Sequence, residues 1–381
     1  GGLQTVRLAF APTKNSGREL VMRLLMRQEI TEDSNVGALG YASDHVEALT
    51  RMRRQPHGIN IISGPTGSGK STTLQNALAM LIREKRRHVK VRTVEDPAEY
   101  DIAGATQTEI NNADTAEKRA EKFRALITNT LRSDPDYIMI GELRDRASIN
   151  LAFQAARTGH GVWTSLHAND ALSIIDRLYD EGADIANITD PSLVTGLIAQ
   201  RLLRVLCPHC RIPYAVAQDA GRVRTDMDHA LRMLIGDAGV AQLSMPSETG
   251  CLHCRQGIRG RTVAAEVIEP DERLMEHMRR RDKSAARRCW RDDLNGRSML
   301  EHGLAKMVAG DVSPEDIENS FGDFSGFREI NVGRIFAEAD DLGGEKQAAG
   351  SLGVFRETPK LLSDTAGEDT SATTTVVRST A

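Results

Sequence analysis

Between an apolar run, Ile59 to Ile62, and apolar residues at helical spacing, Leu74, Leu78, Leu81 and Ile82, the chain reads Gly64-Pro65-Thr66-Gly67-Ser68-Gly69-Lys70-Ser71. A strand that ends in such a loop and passes at once into a helix restricts the fold severely. Glycines let the backbone curl until successive N–H groups and the positive end of the helix converge on one anion. The pattern predicts a phosphate-binding loop in which Gly64, Pro65, Thr66, Gly67, Ser68, Gly69, Lys70, Ser71 and Thr72 surround ATP. Lys70 is expected to reach the β- and γ-phosphates, and Ser71 to supply a ligand to Mg²⁺.

Downstream, short apolar runs keep alternating with helical patterns. Val89 to Val94, Tyr137 to Ile140 and Gly161 to Leu166 read as buried strands, with helices over Thr115 to Arg132 and Ala147 to Ala156. Such alternation implies an α/β core over residues 41–206, a parallel sheet covered on both faces. His45 to Met52 reads as a short helix, and the polar stretch from Gln28 to Gly40, with residues 34–40 as its last part, as a linker. Upstream, Val6 to Phe10 and Glu19 to Met26 are extended segments around a turn-prone stretch, so residues 1–33 look like the edge of a small N-terminal α+β domain. The chain opens at Gly1 without a Met, and part of that domain is expected to be missing. Past Leu206 the alternation stops. A cysteine-bearing module is expected over residues 207–262 and a small helical domain over 263–336, with helices near Asp271 to Arg281, Leu300 to Ala309 and Pro314 to Ser320. From about Ala337, small, hydroxyl and acidic residues dominate, and residues 337–381 are expected to form a disordered tail with too little apolar surface to offset ordering entropy.

Ligands of open parallel sheets bind outside the carboxyl ends of the strands, and two acidic segments fall there. Glu95-Asp96-Pro97-Ala98-Glu99 follows one strand, and Glu142 follows another. One carboxylate so placed can orient an attacking water while a second holds Mg²⁺ directly or through its waters. Singly, each would read as a surface charge; their position at strand ends marks Glu99 and Glu142 as candidates.

Two C-x-x-C knuckles, Cys207-Pro208-His209-Cys210 and Cys251-Leu252-His253-Cys254, offer two thiolates each and together complete a tetrahedral set for Zn²⁺. Four protein thiolates leave no open coordination position, so the metal would be structural. Disulfides are the alternative, which a reducing cytosol disfavours. Cys289 stands alone and reads as an ordinary thiol.

The 381 residues carry a net charge of -4 and only 4% aromatics, so neither a basic field nor a stacking surface suggests a nucleic-acid partner. No run approaches the roughly 20 apolar residues of a membrane span, and the first residues lack the charged and apolar regions of a secretory leader. The expectation is a soluble, cytosolic protein with no membrane span.

Taken in order, these segments resemble the type II secretion and type IV pilus-assembly ATPases. The loop ending Lys70-Ser71-Thr72-Thr73 resembles that family's Walker A, and Glu95 to Glu99 its Asp box. Asp134-Pro135-Asp136 through Ile140-Gly141-Glu142-Leu143-Arg144-Asp145 resembles its Walker B. Thr158-Gly159-His160-Gly161 with Ser165-Leu166-His167-Ala168-Asn169-Asp170-Ala171 resembles its His box. The four-cysteine site, Gly257 to Thr262 with Glu266, and Gly310 to Glu315 are similar to the C-terminal part of its assembly-type members. The resemblance runs from about Val6 to Phe321.

It implies a RecA-like P-loop core in a homo-hexamer that hydrolyses ATP between its two domains. It also implies an inner-membrane platform protein as partner, and a place on the cytoplasmic side of that membrane held through partners. Glu99 and Glu142 would share the water-activating and Mg²⁺-binding roles, His167 would lie near the γ-phosphate, and Arg7 and Arg23 would reach the nucleotide to neutralise developing charge. Two departures touch the arginine set: Gly17-Arg18-Glu19 stands where the family has Gly-Glu-Arg, and Thr128 stands where the first of two paired arginines would be, Arg132 being kept. A conjugative thin-pilus motor carries the same motifs. Outside the class, the alternatives are a nucleic-acid translocase on a RecA-like core, which needs a basic stripe, and a nucleotide-gated scaffold with little hydrolysis, to which Thr128 lends weight.

Overall fold

A computed structural model describes residues 3–12, 18–26, 28–29, 35–110, 115–328, 330–349 and 375–379. At the N-terminus, β1 (Leu3–Pro12) and β2 (Arg18–Met26) pair antiparallel. Helix α1 (Ser43–Arg54) leads to β3 (Gly58–Ser63) and α2 (Lys70–Glu84). There follow β4 (Val91–Glu95), β5 (Ala105–Glu109), α3 (Ala116–Leu131), β6 (Tyr137–Ile140), α4 (Arg146–Arg157), β7 (Gly161–Leu166), α5 (Ser173–Asp180) and β8 (Val194–Leu206). The cysteine-bearing stretch, with α6 (Thr225–Val240), lies between β8 and β9 (Ile258–Ile268). Helices α7 (Glu272–Arg279), α8 (Lys283–Arg288), α9 (Met299–Val308), α10 (Pro314–Phe321) and α11 (Val332–Ala349) complete the described body, and β10 (Thr375–Ser379) pairs with β2.

Strand residues point alternately to opposite faces, and this sets the layers. Ile59, Ile61, Ile138 and Ile140 enter one apolar cluster, shared with Ile127 of α3, Phe153 of α4 and Ile174 of α5. Ile62, Tyr137, Met139 and the fully buried Trp163 enter another on the opposite face, shared with Leu49 of α1 and Leu78 of α2. Helix starts follow local chemistry. Thr115 caps α3 by accepting from Lys118 N, and Asp145 and Ser148 form a reciprocal capping box at α4.

The sheet order is β9-β8-β3-β7-β6-β4-β5, parallel throughout except that β9 runs antiparallel to β8. The strands of residues 41–206 thus form the expected parallel sheet, to which β9, from beyond that range, adds an antiparallel edge. Its return strand β9 begins at Ile258, so the boundary expected at residue 262 cuts through a core strand. Helix α11 likewise crosses the expected start of the tail at residue 337, because Ile335, Glu338 and Ala339 recur at helical spacing and are buried. Tail residues 350–374 lie outside the described residues. In the expected linker, Val36 and Leu39 are buried.

Candidate functional site

Strand β3 delivers the chain into the Gly64–Ser71 loop at the carboxyl edge of the sheet. Gly64 (φ 147°), Gly67 (φ 77°) and Gly69 (φ 83°) all adopt the left-handed region, which curls the backbone towards the start of α2. The fit is tightest at Gly64, where a Cβ would lie 2.3 Å from the carbonyl oxygen of Gln200 and 2.6 Å from Ser68 Oγ. Gln200 of β8 donates from Nε2 to Ser68 O (2.7 Å) and accepts from the Tyr41 hydroxyl (2.5 Å), bracing the loop from behind. Ser68 Oγ is buried with no hydrogen-bond partner among the described residues. A curled glycine loop, the N-terminus of a four-turn helix and an orphaned buried hydroxyl together fit a phosphate chain.

Lys70 Nζ donates to Gly64 O (2.8 Å) and Pro65 O (3.1 Å), and burial lowers its pKa against the opposing charge of Glu142. His167, just past the end of β7, comes to the same place: its Nδ1 is 3.1 Å from Gly64 O and 3.4 Å from Lys70 Nζ, and its Nε2 is 3.2 Å from Glu142 Oε1. With the proton on Nε2 the ring donates to Glu142 and accepts from Lys70 through Nδ1; with the proton on Nδ1 it donates to Gly64 O instead. Glu142 Oε2 accepts from Arg144 Nε (2.8 Å), Arg144 also meets Asp96 (3.1 Å), and Asp96 is further paired with Arg119 of α3. The ends of β4 and β6 are thus joined by alternating charges, and His167 links the end of β7 to Glu142. A cavity of about 310 Å³ opens beside the loop, lined by Gly64, His167, Asn169, Asp176 and Arg177 among others.

The two acidic candidates differ in setting. Glu142 lies within the charge chain. Glu99 follows β4 half-buried, and no described residue bonds it; its charge bears on Tyr100, whose hydroxyl lies 3.0 Å from Thr72 Oγ1. Glu95 is held inside the core by donors from Thr93 (2.6 Å), Gln107 (3.0 Å) and Gln75 (3.4 Å), while burial pushes its carboxyl up. Ser71, a Mg²⁺ ligand candidate, sits in the first turn of α2. Arg7 and Arg23 face each other in register across β1 and β2, and their side chains lie outside what is described. Arg119, Arg144 and Gln200 were not among the candidates. Arg144 lies inside the Walker B-like segment, but only its pairing reveals its place.

The four cysteines gather where β8 ends and β9 begins, beyond the same carboxyl edge of the sheet. The Sγ atoms of Cys207, Cys210, Cys251 and Cys254 all lie within 4.8 Å of one another, with Cys207 and Cys251 at 3.8 Å, Cys210 and Cys254 at 3.5 Å, and Cys251 and Cys254 at 3.7 Å. Disulfide sulfurs lie about 2 Å apart, which these do not. A tetrahedral ion with Zn–S bonds of about 2.3 Å sets sulfurs about 3.8 Å apart, which they match. Burial pushes the Cys254 thiol up, but the Cys251 N–H and the neighbouring thiols outweigh it and bring it down to about 7.

The profile of the Type II/IV secretion system protein family matches residues 2–330. The chain is 35% identical to Type II secretion system protein E of Pseudomonas aeruginosa over 315 residues, 82% of this chain and 57% of that protein. It is 35% identical to Type II secretion system ATPase E of Vibrio cholerae over 316 residues, with the same two coverages of 82% and 57%. It therefore belongs to the Type II/IV secretion system protein family, as its motifs imply, and spans little more than half the length of these relatives. In fold it is similar to the pilus retraction motor PilT with bound ADP, at a TM-score of 0.52 and 21% identity over 84% of this chain and 79% of that one. It is also similar to the Legionella pneumophila ATPase DotB, at 0.55 and 20% over 83% and 76%. Among the described residues no helix is long and apolar enough to cross a membrane.

Proposed function

We propose that this chain hydrolyses ATP at the Gly64–Ser71 loop and powers assembly of a type II secretion pseudopilus or a type IV pilus. On this reading its α/β core is RecA-like, it works as a homo-hexamer on the cytoplasmic side of the inner membrane, and it pushes against a membrane platform protein. The observation that carries the reading is the meeting of Lys70, His167 and Glu142 at the mouth of a glycine-curled loop. Lys70 is held by the loop's own carbonyls with its ammonium beside His167, a position from which it can neutralise a terminal phosphate. Glu142 accepts from Arg144 and faces His167, so its orientation is fixed, as a carboxylate that aligns a water or a metal's water must be. Glu99, which no described residue bonds, is the second carboxylate for that pair of roles. Mg²⁺, bound by Ser71 and through a carboxylate, would neutralise charge on the phosphate oxygens. Arg7 and Arg23 are proposed to reach the nucleotide from the N-terminal strands, and the four cysteines to hold a structural Zn²⁺.

Nucleotide binding and single-turnover hydrolysis test this directly. Lys70→Ala is expected to abolish binding, and Glu142→Gln to keep binding while slowing hydrolysis by about 100-fold. Rates equal to the parent's in both variants would end the proposal.

A further inference from the structure

Glu266 stands on β9 opposite Ala199 of β8, which in turn pairs with Ser63 at the entrance to the phosphate loop, and is 8% exposed. Both of its carboxylate oxygens are taken by backbone N–H groups from two distant parts of the chain. Oε2 accepts from Ala171 N at 2.9 Å, and Oε1 from Met299 N at 3.3 Å. Ala171 lies four residues past His167, on the connection into α5. Met299 is the first residue of α9, whose leading N–H groups have no partner within the helix. Burial pushes the Glu266 carboxyl up to about 7 despite these donors. Arg287 pairs with Asp170 at 3.6 Å and acts on Glu266 only through its charge, without bonding it. A buried carboxylate without a cation of its own is costly, so its two acceptor oxygens need a reason. Only a carboxylate presents two acceptors and no donor; a glutamine would turn an NH₂ towards one of the two N–H groups.

The segment that Glu266 grips is also held from its other side. Lys283 of α8 donates to Ser173 Oγ (2.6 Å) and Asp176 Oδ2 (2.9 Å), and Asp170 Oδ1 accepts from Ser173 N (2.8 Å). Asn169 lines both the cavity beside Gly64 and His167 and a second cavity of about 230 Å³ that Glu266 lines with Arg201 and Trp290. One short stretch therefore has the nucleotide side at one end and the C-terminal helices at the other.

We propose that Glu266 is a positioning residue for hydrolysis: by tying Ala171 N and Met299 N to one carboxylate, it aims His167 at Glu142 and Lys70 and makes that aim depend on α9. The proposal rests on the hydrolysis reading above and adds to it a residue that touches no nucleotide. It is tested in the full chain by a double-mutant cycle with His167→Ala. Glu266→Gln is expected to lower kcat about tenfold while KM for ATP moves less than about twofold; in the His167→Ala background it should change kcat by less than about twofold, since it acts through that ring. A Glu266→Gln variant with unchanged kcat, or one that slows His167→Ala by the same factor as it slows the parent, overturns the proposal. Hydrogen exchange at Ala171 and Met299 gives a readout independent of turnover. Both amides should exchange faster in Glu266→Gln, and unchanged exchange at Ala171 overturns the proposal even if the parent chain hydrolyses no ATP, a result that would by itself defeat the activity reading. Should Glu266→Gln fail to fold, Glu266→Asp, a carboxylate one methylene too short to reach both amides, is read by the same criteria.

Discussion

Nε2 of His167 lies 3.2 Å from Oε1 of Glu142, while Nδ1 of the same ring lies 3.1 Å from the carbonyl oxygen of Gly64. One imidazole thereby joins the strand-end carboxylate to the loop that would grip a phosphate chain. Replacing His167 by Ala removes both contacts and leaves the loop's own bonds in place. Turnover is expected to fall by about 10- to 100-fold with nucleotide affinity changed much less. Comparing steady-state ATPase rates with equilibrium binding of a fluorescent ATP analogue checks this, and an affinity loss as large as the rate loss would contradict it.

Gly64 and Gly67 share a left-handed backbone but not the same surroundings. A methyl at Gly64 meets Gln200 O at 2.3 Å, whereas at Gly67 nothing lies within 4 Å. Gly64→Ala is expected to weaken nucleotide binding by more than about 100-fold, and Gly67→Ala by no more than the about 5- to 30-fold that a backbone term of about 1–2 kcal/mol allows. Titration calorimetry on the two variants should separate them; equal losses would place the effect in backbone strain alone.

The cysteine cluster should hold one zinc per chain when freshly reduced protein is assayed for metal, and Cys251→Ser should lose most of it. Because site binding is worth on the order of 10 kcal/mol to a small metal module, chelation should expose residues 211–250 to protease well before the core is cut. Metal-free protein that resists cleavage there would show that the thiols need no ion.

His45 is buried against His302, its ring centroid 5.0 Å away, with Arg297, Lys306 and Arg334 acting on it. Burial, aided by those cations and opposed by Asp44, brings its pKa from 6.5 down to about 3. The folded chain thus holds the ring neutral, and the unfolded chain takes up a proton below 6.5, so this contribution to stability is complete above that value and lost as pH falls towards 3. Relative to His45→Phe, the parent should lose about 1.4 kcal/mol per unit between roughly pH 6 and pH 4 in urea unfolding. A difference that does not vary with pH would exclude a neutral buried ring.

The central strands could be read from the sequence because β3, β6 and β7 are buried on both faces and each carries a run of apolar residues. The helices between them carry their own start signals in Thr115 and Asp145. Strands β8 and β9 could not, since their partnership joins Leu197 to Ile268 across an intervening module, and no local period encodes so distant a pairing. The loop from Gly64 to Ser71 was legible for the opposite reason: its chemistry is contained in eight consecutive residues. The charge chain through Glu142, Arg144, Asp96 and Arg119 draws on two strand ends and a helix, so spacing gives no hint of it. Glu95 and Glu99 look alike in sequence; only the donors from Thr93, Gln75 and Gln107 show that Glu95 is committed to the interior.

Leu206 and Ile258 are register partners, and Cys207 N bonds Gly257 O at 2.7 Å, so the chain leaves the sheet for the cysteine-bearing stretch and re-enters it through one doorway. An excursion whose two ends already touch puts little demand on the strands it leaves, and its buried side, with Met227, Leu231 and Ile235, packs with Leu304 and Ile335 of the C-terminal helices. Its outer loops could lengthen or shorten while the phosphate loop, which leaves β3 at the same carboxyl edge but lower down the parallel strand β8, beside Gln200, kept its geometry.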